Sequence, residues 1–152
     1  MGDSQKREQM EQKKKVLVEY SIPDDFDNKS EEEKIEIAKD IISKFTAEDL
    51  HEGHQGKHQE NHNNYIEGRS ILKAEPKVLF EEAKNYNDEV KVKGKGNKVE
   101  INKFFDCKRS IGIYKDKADY KEGIPTSRIK IHYSKYGYHI VPATPSELLE
   151  DK

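Results

Sequence analysis

The sequence predicts an α+β domain, and three observations carry that expectation. Ser30 and Glu33 form a capping box ahead of apolar residues at helical spacing. A second helical stretch follows a proline near Glu75–Lys84. The run from Ser127 to Pro142 alternates apolar and polar residues with the period of a β-hairpin. At 152 residues, 32% hydrophobic and 38% charged, the chain has material for one core and a segment outside it.

Residues 1–15 are a charged leader with almost nothing apolar to bury, a frayed or disordered segment. Residues 16–50 read as an acidic strand-helix region. Val16-Leu17-Val18-Glu19-Tyr20 suits a strand, and Ile22 to Asp27 a turn-rich linker. The capped helix then places Ile35, Ala38, Ile41, Ile42 and Phe45 on one face and ends near Thr46. From His51 to Tyr65, four histidines stand among Gly53, Gly56 and three asparagines, a composition that favours a loop. After Ile66–Ile71, the second helix has Pro76 in its first turn and Val78, Leu79, Phe80 and Ala83 for the core.

Lys91-Val92-Lys93-Gly94-Lys95-Gly96-Asn97-Lys98 is a basic, glycine-containing hairpin or loop. It reads either as a phosphate contact or as an ordinary solvated turn, the second being preferred. Phe104-Phe105, Ile111-Gly112-Ile113-Tyr114 and the final hairpin make up an antiparallel sheet, and residues 147–152 form a tail.

In the hairpin, Ile129 and Ile131 alternate with Arg128, Lys130 and His132, Gly137 supplies turn geometry, and Pro142 stops the second arm. The turn decides whether its two histidines meet. A two-residue loop at Tyr136-Gly137 puts His132 and His139 on one face, and a four-residue loop from Ser134 to Gly137 sets them directly opposite. A three-residue loop with a bulge separates them. Two imidazoles on one face, with Lys130 and Ser134 beside them, suit acid–base chemistry near neutral pH.

The net charge of −2 hides an asymmetry. Residues 1–56 hold 9 Lys/Arg against 15 Asp/Glu, and residues 57–152 hold 19 against 15. A basic module behind an acidic one is compatible with a polyanionic partner. No apolar run is long enough to span a membrane, and no signal-peptide core follows Met1. The single Cys107 excludes an internal disulfide and suits a reducing, cytoplasmic setting; with Asp106 beside it, it reads as structural. The spacing of His51, His54, His58 and His62 invites a zinc reading, but the glycines oppose a continuous helix and no cysteine or carboxylate completes a site. A solvated loop with no metal is preferred.

Two separated blocks then carry a resemblance. They are Lys57-His58 with Asn63-Asn64-Tyr65-Ile66-Glu67-Gly68-Arg69-Ser70, and Ile131-His132-Tyr133-Ser134-Lys135 with Gly137-Tyr138-His139-Ile140-Val141-Pro142. Over roughly residues 54–146 the chain resembles the bacterial polymorphic toxin type 50 domain, also found at the C-terminus of phage minor head proteins. The resemblance marks residues 51–146 as a toxin-type, nuclease-like domain. It implies the fold shared by barnase, EndoU, the colicin tRNA nucleases and RelE. That fold has a small helical layer packed on an antiparallel sheet, with RNA cut on the exposed sheet face. Two positions depart from the family pattern: Gln59-Glu60-Asn61-His62 stands in place of Ile-Pro-Gly-Thr, and Tyr138 in place of Thr.

The expectation is a metal-independent endoribonuclease that cleaves by attack of the ribose 2′-OH, a reaction needing a base, an acid and cations but no cofactor. His58 and His139 are the expected acid–base pair, with His132 able to replace either. Lys57, Arg69, Ser70, Lys130, Ser134 and Lys135 are expected at phosphate, and Tyr65, Tyr133 or Tyr138 at a stacked base. Expected partners are RNA and an immunity or antitoxin protein. The competing expectation is a catalytically impaired nuclease-like module that binds RNA or a protein partner.

Overall fold

The computed structural model describes residues 20, 22–51, 55, 70–116 and 120–146. The leader, most of the strand expected at residues 16–20, residues 56–69 and the tail 147–152 lie outside that range. Helix α1 (Glu31–Ile42) starts where its cap requires. Ser30 is extended and its Oγ accepts the Glu33 N–H at 3.2 Å, while Glu31, Glu32 and Glu33 face the positive end of the helix dipole. Ala38, Ile41 and Ile42 are buried, as is Phe45 just beyond the helix end. A reciprocal cap between Thr46 and Asp49 then holds the 3-10 turn Ala47–Asp49. Helix α2 (Pro76–Ala83) opens on its proline, where no N–H is needed, and buries Leu79, Phe80 and Ala83.

The strands form two antiparallel sheets. In one, β1 (Ile71–Leu72), β4 (Gly112–Asp116) and β5 (Tyr120–Thr126) run in the order β1-β4-β5. In the other, β2 (Val90–Lys93), β3 (Glu100–Asp106), β6 (Arg128–Ser134) and β7 (Gly137–Pro142) run in the order β2-β3-β6-β7. The second sheet carries the helical layer. Ile101, Ile129, Ile131, Tyr133, Tyr138 and Ile140 form one core with Ala38, Ile41, Ile42 and Phe45 and with Leu79, Phe80 and Ala83. The acidic N-terminal region therefore packs into the same core as the strands.

A single sheet does not form because the chain turns out of β3. Asp106 Oδ1 accepts the Lys108 N–H at 2.8 Å, and Lys108 adopts φ +61°. The Ile111–Tyr114 run leaves the larger sheet and pairs with β1 and β5 instead.

The final hairpin closes on Lys135-Tyr136, with Ser134 opposite Gly137, so His132 lies directly opposite His139. Gly137, expected inside the turn, is instead the first residue of β7, at φ +130°. A Cβ there would collide with the Asp49 carbonyl oxygen, because residues 49–51 run against β7. The outer edge of β7 is covered by that segment: Leu50 bridges to Tyr138 and the His51 N–H donates to the Tyr138 carbonyl at 2.7 Å. Gln55, 1% exposed, continues the ladder with its side chain. Its Nε2 donates to the Ile140 carbonyl at 2.7 Å and its Oε1 accepts the Ile140 N–H at 2.6 Å.

Candidate functional site

Alternation along the strands decides which residues face the core and which face outward. In β6, Ile129, Ile131 and Tyr133 are buried, and Lys130, His132 and Ser134 face away. In β7, Tyr138 and Ile140 point inward while His139 and Val141 point outward. Direct pairing extends the outward face across β3 and β2: Lys91, Asn102, His132 and His139 form one row, and Phe104, Lys130 and Val141 the next.

His132 and His139 lie with ring centroids 4.6 Å apart and planes inclined by 13°, a stacked pair on the outward face. Three cations gather round Phe104: Arg128 at 4.4 Å, Lys91 at 5.1 Å and Lys130 at 5.8 Å from the ring centroid. They differ in availability. Arg128 is buried and committed, with Nη2 donating to Glu89 Oε1 at 2.6 Å. Lys91 and Lys93 are exposed. The Lys130 ammonium is pushed below its ordinary pKa, first by burial and then by Lys93 and Lys91, with Glu100 acting the other way. Lysines that crowd against one another in this way gain from an arriving anion.

Glu100, Tyr133, Ser134, Lys135 and Tyr136 line a cleft of about 750 Å³ together with Tyr20, Ile22, Phe26 and Asp27. The Tyr20 hydroxyl donates to the Val99 carbonyl at 3.4 Å; burial, with Glu100 nearby, raises its pKa to about 12.

Of the residues named from sequence, His132, His139 and Lys130 come together on the outward face. Ser134 faces the same way but locks the turn, its Oγ donating to the Gly137 carbonyl at 3.0 Å and accepting the Tyr136 N–H at 3.2 Å. Lys135 is exposed at the loop, its Nζ 5.2 Å from the centre of the Tyr136 ring. Ser70 is buried just before β1, where its Oγ accepts the Lys115 N–H at 2.9 Å and so ties the chain to β4. Lys57, His58, Tyr65 and Arg69 lie outside the described residues.

Tyr133 and Tyr138 require correction as base-stacking residues. Tyr133 packs edge-on against Phe45 at 5.0 Å, and Tyr138 stacks on Phe80 at 4.4 Å while its hydroxyl donates to the Ala47 carbonyl at 2.8 Å. Both are core residues, 5% and 0% exposed, with hydroxyl pKa values raised by burial, and neither ring offers a surface to a base.

Cys107 is buried, and burial followed by the nearby Glu82 carboxylate pushes its thiol up to about 11, which leaves it un-ionised at neutral pH. Among the described residues, no three His, Cys, Asp or Glu side chains are placed to hold a metal ion. No described helix is long and apolar enough to cross a membrane.

Lys91 and Lys93, read from sequence as part of a basic hairpin or loop with a solvated turn preferred, stand on this face, and the sequence reading missed Asn102 and Phe104. The signal for those two was the period-two alternation Glu100, Asn102, Phe104, Asp106, which the neighbouring Phe104-Phe105 pair masks.

The fold and its outward face define a small α+β domain with paired imidazoles among cations on one sheet. The family model for bacterial toxin 50 matches residues 50–142, more than half of the sequence, and the chain belongs to that family. The match begins at Leu50, where the chain first bridges to β7, and ends at Pro142, the last residue of β7. No curated protein matches the chain.

Proposed function

We propose that this protein is a metal-independent endoribonuclease of bacterial toxin type, cutting RNA by attack of a ribose 2′-OH on the adjacent phosphate. The observation that carries the reading is the stacked His132–His139 pair on a sheet face that also bears Lys91, Lys93 and Lys130. Two unit positive charges about 4 Å apart repel by about 1 kcal/mol in water and about 4 kcal/mol at an effective dielectric of about 20. The two rings therefore resist being charged together, which suits a reaction that uses one imidazole as the neutral base and the other as the charged acid. That is the division of labour the reaction needs. The neutral imidazole takes the 2′-OH proton as the new P–O bond forms, and the imidazolium gives its proton to the departing 5′ oxygen. The lysines offset the charge that builds on the phosphate oxygens. His58, supplied by the family resemblance, is a third candidate for either role.

The test is incubation of purified protein with total RNA in EDTA, wild type beside His58→Ala, His132→Ala and His139→Ala. Cleavage that survives EDTA and is lost in the variants supports the proposal, and cleavage that all three variants retain overturns it. The departure at Gln59–His62 from the family pattern favours a second reading, a module that binds RNA without cutting it. Retained RNA affinity without cleavage by the wild type selects that reading.

A further inference from the structure

Asn102 lies in β3, directly opposite His132 of β6 and Lys91 of β2. It is 1% exposed, and its Oδ1 is buried with no hydrogen-bond partner. A buried amide oxygen without a donor is costly, and structures retain few of them. Directly paired side chains on an antiparallel sheet have Cβ atoms about 5 Å apart, within reach of a hydrogen bond between an amide and an imidazole. Of the two cross-strand neighbours, Lys91 has its ammonium over the Phe104 ring, 5.1 Å from the centroid. His132 is the other neighbour, and its imidazole carries N–H donors.

An imidazole donates from both ring nitrogens only when protonated. Protonation thus adds to the ring an N–H that the neutral imidazole lacks. We propose that Asn102 is a positioning residue for His132: its orphaned carbonyl oxygen accepts the second N–H of the His132 imidazolium and holds that ring in the proton-bearing state. Asn102 touches no reacting atom and acts only through His132. As a statement about catalysis the inference rests on the ribonuclease reading, where it makes His132 the acid and His139 the base. As a statement about His132 it stands by itself.

The other described charged and titratable groups around His132 act on it in both directions. His139 across β7, Lys130 on β6, and Lys91 and Lys93 on β2 oppose its protonation, and Glu100 on β3 favours it. Asn102 is the neutral group that can tip this balance without adding charge.

The experiment is an NMR titration of the His132 ring in wild type, Asn102→Leu and Asn102→Asp. The expected result is a His132 pKa lower by about one unit in Asn102→Leu, tenfold in proton affinity, and higher than wild type in Asn102→Asp. Shifts of opposite sign from one position are not produced by a loosened sheet. In wild type alone, the Asn102 side-chain amide signals should move with the His132 titration, a reading that survives if a variant fails to fold. An unchanged His132 pKa in a folded Asn102→Leu, or wild-type Asn102 signals that ignore the titration, overturns the inference. Neither readout needs RNA, so absence of cleavage would sink the ribonuclease reading and leave this one to its own result.

Discussion

Gln55 is the position where a single side chain does the work of a strand. Its amide meets the Ile140 N–H and carbonyl at 2.6 and 2.7 Å, in a site 1% exposed, next to His139 along β7. Replacing it with leucine keeps the bulk and removes both partners. Ile140 is then left with a buried donor and a buried acceptor, each costing about 1–3 kcal/mol when unsatisfied. The expected loss is about 2–6 kcal/mol, a large share of the roughly 5–15 kcal/mol that holds a domain together. Gln55→Glu tests the same geometry differently, since a carboxylate still accepts the Ile140 N–H but sets a negative oxygen against the Ile140 carbonyl. It should be at least as damaging as leucine at neutral pH and recover in part when the carboxylate is protonated. Urea denaturation followed by circular dichroism measures both variants. A loss below about 0.5 kcal/mol for Gln55→Leu would show that the edge of β7 does not depend on this amide, and the reasoning would fail.

Other outcomes follow from the same geometry. His132→Ala and His139→Ala should each reduce RNA cleavage by about 10²–10⁴-fold with the fold intact by circular dichroism. Lys130→Met should weaken RNA binding and reduce the slope of log affinity against log salt by about 0.7 on single strands, measured by fluorescence anisotropy. Gly137→Ala should destabilise by about 2 kcal/mol or more, since φ +130° and the Asp49 carbonyl both oppose a Cβ; thermal melting checks it. Burial lowers the Lys103 pKa to about 8 while its Nζ donates to the Ala83 carbonyl at 2.9 Å. Above about pH 8 the native state sheds this proton before the unfolded chain does, so stability should rise with pH until the buried Cys107 thiol, whose pKa is raised on folding, offsets the gain above about 9 and the core tyrosines reverse it above about 10. Lys103→Met should reduce the rise to the smaller part that Lys130 supplies, as read from urea midpoints between pH 7 and 9.

The elements legible in the sequence are those whose cause is local. Ser30 and Glu33 specify a helix start within four residues, Pro76 marks another, and Ile129, Ile131 and His132 declare a strand by their alternation. The same alternation contained the correction to the tyrosines. Tyr133 has the parity of Ile129 and Ile131, and Tyr138 that of Ile140, so a strand that buries its isoleucines buries its tyrosines as well. Parity also placed Lys130 beside His132 in advance. The face-to-face arrangement of His132 and His139 was one of three outcomes allowed by the turn, and the packing of residues 49–51 against Gly137 accompanies the one adopted. Gln55 was illegible because its role is set by a strand 85 residues away. Asn102 was hidden for a similar reason, since only the pairing of β3 with β6 gives it a neighbour that can use it.

The two-residue loop at Lys135-Tyr136 has a consequence for the order in which the molecule comes into being. His132 and His139 belong to different strands, and the rings meet only after β7 has zipped onto β6. During synthesis, the ribosome must therefore release the chain through Pro142 before the imidazoles can stack at all. A nascent chain released through Thr126 holds the residues of α1, α2 and the first five strands while lacking the pair.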